Sequence, residues 1–323
     1  MKLKRFKGDP ILERHHEHDW EKGSVLNPGV IYENGIFRMV YRATNDIRPD
    51  IPGSYVSSLG YAESVDGKHF ERREEPLLAP TEGYENGLGC EDPRITKFDD
   101  IYYMYYTAVG GDGHEQKVRI ALATSKDFVT WNKHGIVGPD LFSKAACLFP
   151  EKINGKYTML FTFELEGPKA HIMMAQFDDL YDLFFPSQER MNRIVHEEYD
   201  KSVVIKPREG RGNEVGAVPI KTPHGWLFIY SALSTVDDHT EWSISAALLD
   251  LHDPRKVLAN VDYLLRPETE HEIHGVVNHV CFPEGAIKHG EELYVYYGSG
   301  DQGICLAICD YNELLDHLRS LIK

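Results

Sequence analysis

The sequence predicts an all-β protein, a five-bladed β-propeller that forms one domain over residues 1–323 and ends in a short helix. The main observation is a pattern that recurs five times: a short strand, a turn with Gly, Asp or Asn, and an aromatic-rich strand. The second observation is a further strand of small apolar residues after each copy. Each unit therefore supplies three or four strands, as a propeller blade requires.

The five copies are predicted to be β-hairpins, because β-rich residues flank a turn signal in each of them. They cover residues 30–42, 94–106, 151–161, 218–230 and 286–297, and the strands that follow cover 59–67, 120–128, 172–180, 245–250 and 305–310. A two-sheet sandwich is the rival arrangement. We favour the propeller because neighbouring units must stack to bury both faces of each sheet. Residues 311–322 are predicted to form the closing helix, and 190–199 an inserted helix or loop.

The net charge of −16, from 51 acidic and 35 basic residues without a basic stripe, argues against a nucleic-acid partner. No run of about 18 apolar residues is present, so no membrane span is expected, and the N-terminus does not resemble a signal peptide. The five cysteines match no disulfide framework or zinc site and are interpreted as reduced thiols. We therefore expect a cytoplasmic protein without metal or cofactor, whose oligomeric state stays open, a homo-oligomer included.

Candidate catalytic residues stand just before the predicted hairpins. Asp92 lies in the segment 89–94 before the second hairpin, Glu214 precedes the fourth and Glu284 precedes the fifth. In a propeller, the segments that precede the hairpins of successive blades meet at the central funnel, so these three carboxylates are expected to converge there. Pro93 cannot donate to a strand ladder, which makes the chain irregular at this point and able to aim Asp92 inward.

Converging carboxylates indicate the cleavage of a glycosidic bond. One carboxylic acid protonates the leaving oxygen, and a second carboxylate activates the attacking water. In inverting enzymes the two carboxyl groups lie roughly 6.5–9.5 Å apart, which leaves room for the water between them. Asp92 together with Glu214 or Glu284 can supply this pair.

The segment 89–94, Gly-Cys-Glu-Asp-Pro-Arg, resembles glycoside hydrolase family 130, the β-mannoside phosphorylases and β-mannosidases. The resemblance spans nearly the whole chain and includes Asn27-Pro28, Tyr41-Arg42-Ala43, Leu148-Phe149-Pro150, Lys152-Ile153-Asn154-Gly155, Gly225-Trp226, Leu248-Leu249-Asp250, Asp253-Pro254, and Tyr296-Tyr297-Gly298 with Asp301. It implies a five-bladed propeller that acts on manno-oligosaccharides with Asp92 as the catalytic acid. It also implies that the mannose-binding subsite is lined by Asn27, Arg42, Arg94, Lys144 and Asp301.

The sequence departs from the phosphorylases of this family where they hold inorganic phosphate with cationic side chains. Those enzymes typically carry an Arg just after the third hairpin, a Lys before the Gly-Ala segment, a His at the end of the fourth hairpin and a small residue near Pro283. This chain has Phe-Thr-Phe at 161–163, Glu214, Ser231 and Glu284 at those places. Carboxylates repel phosphate, whereas they can orient and deprotonate water.

We therefore expect an inverting hydrolase of β-mannosides, first of all of β-1,2-linked ones, in which Glu214 and Glu284 share the role of base. The alternative is a β-mannoside phosphorylase that releases mannose 1-phosphate. A glycan-binding propeller without catalysis is a third interpretation. The preference for linkage and chain length is expected to depend on the loops 44–58 and 110–117.

Overall fold

The computed structural model describes residues 1–46, 55–111, 116–165, 169–206, 211–236 and 239–322. Over these residues the chain is mostly β, with five short helices, so the all-β class is confirmed. The strands form five antiparallel units that follow one another along the chain. The loops 44–58 and 110–117, which were expected to set substrate preference, lie partly outside the described residues.

Units one and two are joined in one eight-stranded sheet. Unit one contains β3 (Ser24–Glu33), β4 (Ile36–Thr44), β5 (Ser57–Ser64) and β6 (Glu71–Arg72), and unit two contains β7 (Gly89–Phe98), β8 (Ile101–Gly110), β9 (Lys117–Ser125) and β10 (Asn132–Ile136). The link between them is a single parallel pairing of Ser57 with Gly89. All other pairings within the two units are antiparallel, as hairpins require.

Units three and four form separate sheets. Unit three contains β11 (Ser143–Leu148), β12 (Tyr157–Leu165), β13 (Lys169–Phe177) and β14 (Val203–Ile205), with α1 (Leu180–Phe184), α2 (Gln188–His196) and α3 (Tyr199–Ser202) between its last two strands. Unit four contains β15 (Arg211–Glu214), β16 (Ile220–Thr222), β17 (Gly225–Val236), β18 (His239–Leu249) and β19 (Val257–Leu265). The segment 190–199, left open as helix or loop, is therefore mostly helical.

Unit five takes its outer strand from the beginning of the chain. It contains β20 (Cys281–His289), β21 (Glu292–Ser299), β22 (Gly303–Asp310), β1 (Lys4–Arg5) and β2 (Leu12–Glu13), and α4 (Glu270–Ile273) precedes it. Lys4 pairs with Ile308 and Arg5 with Ala307, so the two ends of the chain are joined in one sheet. The sequence patterns did not predict this pairing.

The predicted C-terminal helix is confirmed as α5 (Tyr311–Ser320). Asp310 caps its N-terminus by accepting a hydrogen bond from the Glu313 amide, which satisfies one of the amide groups left free at a helix start. The helix packs its buried residues, among them Leu314 and Leu318, against the core of units four and five. None of the helices in the described ranges is long and apolar enough to cross a membrane.

The core consists of five hydrophobic clusters, each of which lies between two successive units. Units one and two share Val40 and Tyr102, two and three share Tyr105 and Phe161, three and four share Leu160 and Phe228, four and five share Leu227 and Val295, and five and one share Tyr296 and Met39. The last cluster connects the end of the series back to its start. The propeller arrangement itself stays a prediction.

All five cysteines are free thiols and buried, as the sequence predicted. They lie in or beside the clusters between units, where small side chains let neighbouring sheets approach closely.

Candidate active site

The first strand in four of the five units is interrupted by a β-bulge, and each bulge lies at a predicted site residue. The bulges fall at Asn27 in β3, at Asp92 and Pro93 in β7, just after Lys144 in β11, and at Glu284 in β20. A bulge turns a side chain away from the regular alternation of a strand. These four side chains are thereby directed into one common site.

Three of the site residues have a positive backbone φ. The angle is 49° at Asn27, 53° at Asp92 and 53° at Asp301. Asn and Asp tolerate this left-handed conformation better than other side chains, but it still costs of the order of 1 kcal/mol at each position. The surrounding structure therefore holds these residues in place at a cost to stability, which is common at functional sites.

Asp92 lies at the centre of the site. Its Oδ1 accepts hydrogen bonds from Asn27 Nδ2 at 2.9 Å and from Arg42 Nη1 at 3.3 Å, and Arg94 Nη1 donates to its backbone oxygen at 3.1 Å. Burial acts to raise the pKa of Asp92, but Arg42 and then Arg94 outweigh burial and hold this pKa below its ordinary value. Asp92 is therefore ionised in the free site.

Glu91 shares the same guanidinium. Its Oε1 accepts hydrogen bonds from Arg42 Nη2 at 2.7 Å and from Ser57 Oγ at 3.1 Å. Burial raises the pKa of Glu91 to about 7, against the attraction of Arg42. Consecutive strand residues normally point to opposite faces, so no sequence pattern places the Glu91 side chain beside that of Asp92; the bulge brings them together.

Glu284 forms a buried ion pair with Arg94. Arg94 Nη2 donates to Glu284 Oε1 at 2.9 Å, and both side chains are fully buried. Arg94 also donates to the backbone oxygens of Gly216, at 2.7 Å, and Val215, at 2.8 Å, so it connects units two, four and five. Burial raises the pKa of Glu284 well above its ordinary value and outweighs Arg94, while the nearby charge of Asp92 adds to the rise.

Lys144 connects units three and four. Its Nζ lies 2.8 Å from Glu214 Oε2 and 3.9 Å from Glu164 Oε1. Burial acts to lower the pKa of Lys144, but Glu214 and Glu164 outweigh it and raise the pKa above its ordinary value. The sequence patterns missed Glu164, which stands at the end of β12 rather than before a hairpin.

Asp301 belongs to the same cluster, although it lies in the turn between β21 and β22. Burial raises its pKa to about 6; Asp92 and Glu214 add to the rise, while Arg42 and Lys144 oppose it. These interactions place its carboxyl group in the electrostatic field of the other site residues. All eight site residues predicted from the sequence are thus brought together.

Carboxylates outnumber cations in this cluster. The carboxyl groups are those of Glu91, Asp92, Glu164, Glu214, Glu284 and Asp301, and the cations are Arg42, Arg94 and Lys144. Each of the three cations is within 4 Å of at least one carboxylate. Among the described residues, this leaves no cation of the cluster unpaired.

Several buried polar atoms of the site lack a hydrogen-bond partner in the described part of the chain. They are Asn27 Oδ1, Glu284 Oε2, Thr107 Oγ1 and Ser231 Oγ. Thr107 lies directly across the ladder from Glu91, and Ser231 across from Glu214. Buried polar groups are rarely left unsatisfied, so these atoms suit a ligand rich in hydroxyl groups.

An all-β framework around a buried group of carboxyl side chains is the kind of site on which glycoside-cleaving enzymes are built. The chain belongs to glycoside hydrolase family 130: a family model described as beta-1,4-mannooligosaccharide phosphorylase matches residues 2–320. The family resemblance inferred from the segment 89–94 is confirmed.

Known relatives cover almost all of the chain. A protein of Thermoanaerobacter sp. (strain X514) named 1,2-beta-oligomannan phosphorylase is 40% identical over 320 residues, which are 97% of this chain and 99% of the relative. The solved structure of beta-1,2-mannobiose phosphorylase from Listeria innocua, with beta-1,2-mannobiose, has a TM-score of 0.81 at 26% identity and covers 99% of this chain and 100% of that chain.

A further solved structure is described as coming from glycoside hydrolases, within the mannoside phosphorylase family, that target β-1,2 mannosidic linkages in Candida mannan. It has a TM-score of 0.79 at 25% identity, and the match covers 96% of this chain and 94% of that chain. The names of the relatives thus support the phosphorylase alternative better than the hydrolase expectation, which the last of these descriptions favours.

Proposed function

We propose that this chain is an inverting hydrolase of β-mannosides, with β-1,2-linked manno-oligosaccharides as its first candidate substrates. The observation that carries the proposal is the charge of the site: among the residues that the structure describes, six carboxyl groups face three cations, and each of these cations is paired with a carboxylate. Asp92 is the general acid. Glu214 and Glu284 activate the attacking water.

Phosphate fits this charge distribution poorly. Phosphate carries between one and two negative charges near pH 7 and is normally held by Arg or Lys donors. One added unit charge at 4 Å from an ionised carboxylate costs about 4 kcal/mol at the effective dielectric constant of a protein surface. Glu284, whose raised pKa favours the protonated form, adds less to this repulsion than the ionised carboxylates do. Water, which is neutral, avoids that repulsion and can donate to the same carboxylates.

The general acid must carry a proton before it reacts. Glu91 and Asp92 share the guanidinium of Arg42, so they titrate as a pair that keeps one proton near neutral pH. In the free site that proton lies on Glu91, because its pKa is raised to about 7 while that of Asp92 is lowered. A water or substrate hydroxyl between the two carboxyl groups then passes the proton to Asp92, which protonates the leaving oxygen.

The base must be ionised to accept a proton from water. Glu214 has Lys144 at 2.8 Å as its ion-pair partner. Burial favours the protonated form of Glu284, whose Oε2 is buried without a partner among the described residues. On these contacts we assign Glu214 as the group that accepts the proton and Glu284, held by Arg94, as the group that orients the water.

Phosphorolysis is the second candidate, and the names of the relatives favour it. The two functions are separated by incubating the enzyme with β-1,2-mannobiose with and without phosphate. Hydrolysis yields mannose alone at a rate independent of phosphate, and proton NMR of the first product shows the inverted α-anomer. Formation of mannose 1-phosphate would contradict the hydrolase proposal.

The Asp92→Asn variant is the control for the acid. We expect its kcat to fall by about 10² to 10⁴-fold, the usual contribution of a general acid. Binding of mannobiose by wild type without any turnover would instead support a glycan-binding protein.

The same proposal includes one domain with five blades around a central axis. It is supported by the five clusters between successive units, since the last of them joins unit five to unit one. It is also supported by β1, which adds the first residues of the chain to the last sheet. A ring of blades closed in this way places the first strand of each unit at the centre, where the bulges lie.

A further inference from the structure

A cavity of about 380 Å³ opens between units five and one, beside the candidate active site. It lies between the N-terminal segment with β2, the residues just before β3, Asp46 shortly after β4, and the turn from β21 to β22. Its polar lining consists of Glu13, Arg14, Lys22, Asp46, His271 and Gln302, and the hydroxyl-bearing Ser299.

Three of these walls continue directly from the catalytic cluster. β4 carries Arg42 in the cluster, and the chain reaches the cavity at Asp46, two residues after this strand ends. β3 carries Asn27, and Gly23, the residue just before this strand, lines the cavity. Four residues of extended chain span about 13 Å. In the turn, Asp301 directs its carboxyl group into the cluster, while its neighbour Gln302 lines the cavity. The cavity is therefore adjacent to the catalytic cluster.

The walls are held firmly by backbone contacts. β2 pairs with β22 through Leu12 and Ile304 and through Glu13 and Gly303. The Gly23 amide donates to the Thr44 backbone oxygen at 2.9 Å, which ties the beginning of β3 to the end of β4. The cavity is thus formed by the framework and does not depend on a single exposed side chain.

The chemistry of the lining suits a neutral ligand with many hydroxyl groups. The described lining residues carry two carboxylates and two cations. Their charges balance, so the cavity favours neither an anionic nor a cationic ligand. Among the described residues Arg14 and Asp46 make no hydrogen bond or close ion pair, although the charge of Asp46 acts on Lys22. Gln302 donates its amide nitrogen to the His274 backbone oxygen, while its amide oxygen can accept from a ligand. Carboxylate, amide and guanidinium groups together can both accept from and donate to sugar hydroxyls.

A second cavity of the same volume does not share these properties. It is lined by five cations, including Arg190, Arg193 and Lys201, and lies against α2 and β13. No residue of the catalytic cluster lies on those elements. This second cavity therefore serves as a comparison site on the same protein.

We propose that the cavity between units five and one binds the sugar units of a manno-oligosaccharide that lie beyond the cleaved linkage. This inference rests on the proposed function, because it extends the same substrate. It assigns Arg14 and Asp46 as residues that determine the preference for chain length. Both are exposed, and neither contacts Asp92, Glu214 or Glu284 among the described residues, so they are assigned no part in bond cleavage.

The test compares kcat/KM for β-1,2-linked mannobiose, mannotriose and mannotetraose. The kcat/KM of wild type is expected to rise with chain length, because each added hydrogen bond to a charged group contributes about a tenfold factor. Arg14→Ala and Asp46→Ala are expected to lose about fivefold to tenfold on mannotetraose and to match wild type on mannobiose. Arg193→Ala, in the second cavity, is the matched control and should behave as wild type on every length.

Equal kcat/KM of wild type on all three lengths would overturn the inference while leaving the proposed function intact. Arg14→Ala and Asp46→Ala variants that keep the wild-type kcat/KM on mannotetraose would also overturn the inference and leave the proposed function intact. Absence of turnover on every length would overturn the proposed function instead. In that case calorimetric binding of mannotetraose and mannobiose to wild type and to Arg14→Ala decides the inference: equal affinities of both proteins for mannotetraose contradict it.

Discussion

At the residue scale, the site combines features that sequence reasoning can find with others that it cannot. Asp92, Glu214 and Glu284 could be predicted because each precedes a hairpin in the repeat, and the family motif supplied the other five residues. Glu91 and Glu164 could not be assigned. Their position depends on a bulge and on the length of β12, and neither leaves a periodic signal.

The shared guanidinium leads to a prediction about pH. Glu91→Gln removes one of the two negative charges at Arg42, so Arg42 stabilises ionised Asp92 alone and the pKa of Asp92 falls further. An acid loses activity as the pH rises through its pKa. Because Glu91→Gln also removes the proton that the pair holds near pH 7, the decline of kcat/KM at high pH should move from near pH 7 to below about 4, and kcat at pH 7 should fall by about 10²-fold or more.

The measurement is a pH–rate profile of wild type and Glu91→Gln. Wild type should decline near pH 7, where the pair loses its remaining proton. Glu74→Gln, an exposed residue, is the control and should reproduce the wild-type profile. A Glu91→Gln profile with the same decline as wild type would show that Glu91 does not control the acid.

At the element scale, the least predictable feature is the junction of the chain ends with the segment before β20. Residues 268–274 are acidic and rich in His, a composition typical of a solvated loop, yet α4 places Glu272 in a fully buried position. Arg5 of β1 donates to both oxygens of Glu272 at 2.8 Å, and Tyr297 donates to it at 2.8 Å. Contacts between residues more than 260 positions apart leave no local pattern, so propensity and spacing could not reveal them.

Removal of Glu272 is expected to destabilise the fold strongly. Glu272→Ala leaves Arg5 partly buried without its main partner, and breaking a buried ion pair from one side costs about 3–5 kcal/mol. Glu268→Ala removes the exposed partner of the same arginine and should cost about 0–1 kcal/mol. Urea unfolding of the two variants measures the difference, and equal free energies of unfolding would refute the assignment.

The same residue predicts how stability depends on pH. Burial acts to raise the pKa of Glu272, but Arg5 and the amides of Thr269 and Glu268 lower it from 4.5 to about 2. A carboxyl group whose pKa is lowered on folding stabilises the fold at every pH above its ordinary pKa. For Glu272 this contribution is lost as the pH falls from about 4.5 to about 2. Wild type should therefore lose more stability than Glu272→Ala across this range.

At the scale of the whole molecule, the repeat predicted the number of units and the all-β class. It could do so because a fivefold recurrence survives variation at single residues. The repeat could not reveal how the ends join, since β1 has only two residues and β2 two more. Yet the fifth cluster contains Leu12 together with Phe37 and Tyr296, so the N-terminal segment contributes to the core between units five and one.

The proposed single domain is expected to unfold as one unit. Every cluster is shared by two units, so loss of one unit exposes the apolar surface of both its neighbours. Scanning calorimetry is expected to show one transition, with equal calorimetric and van't Hoff enthalpies. Leu12→Ala should lower the free energy of unfolding by about 2–5 kcal/mol and move that transition as a whole, whereas exposed Leu321→Ala should leave it unchanged. Two or more transitions, of which Leu12→Ala moved only one, would show instead that the units are stabilised independently.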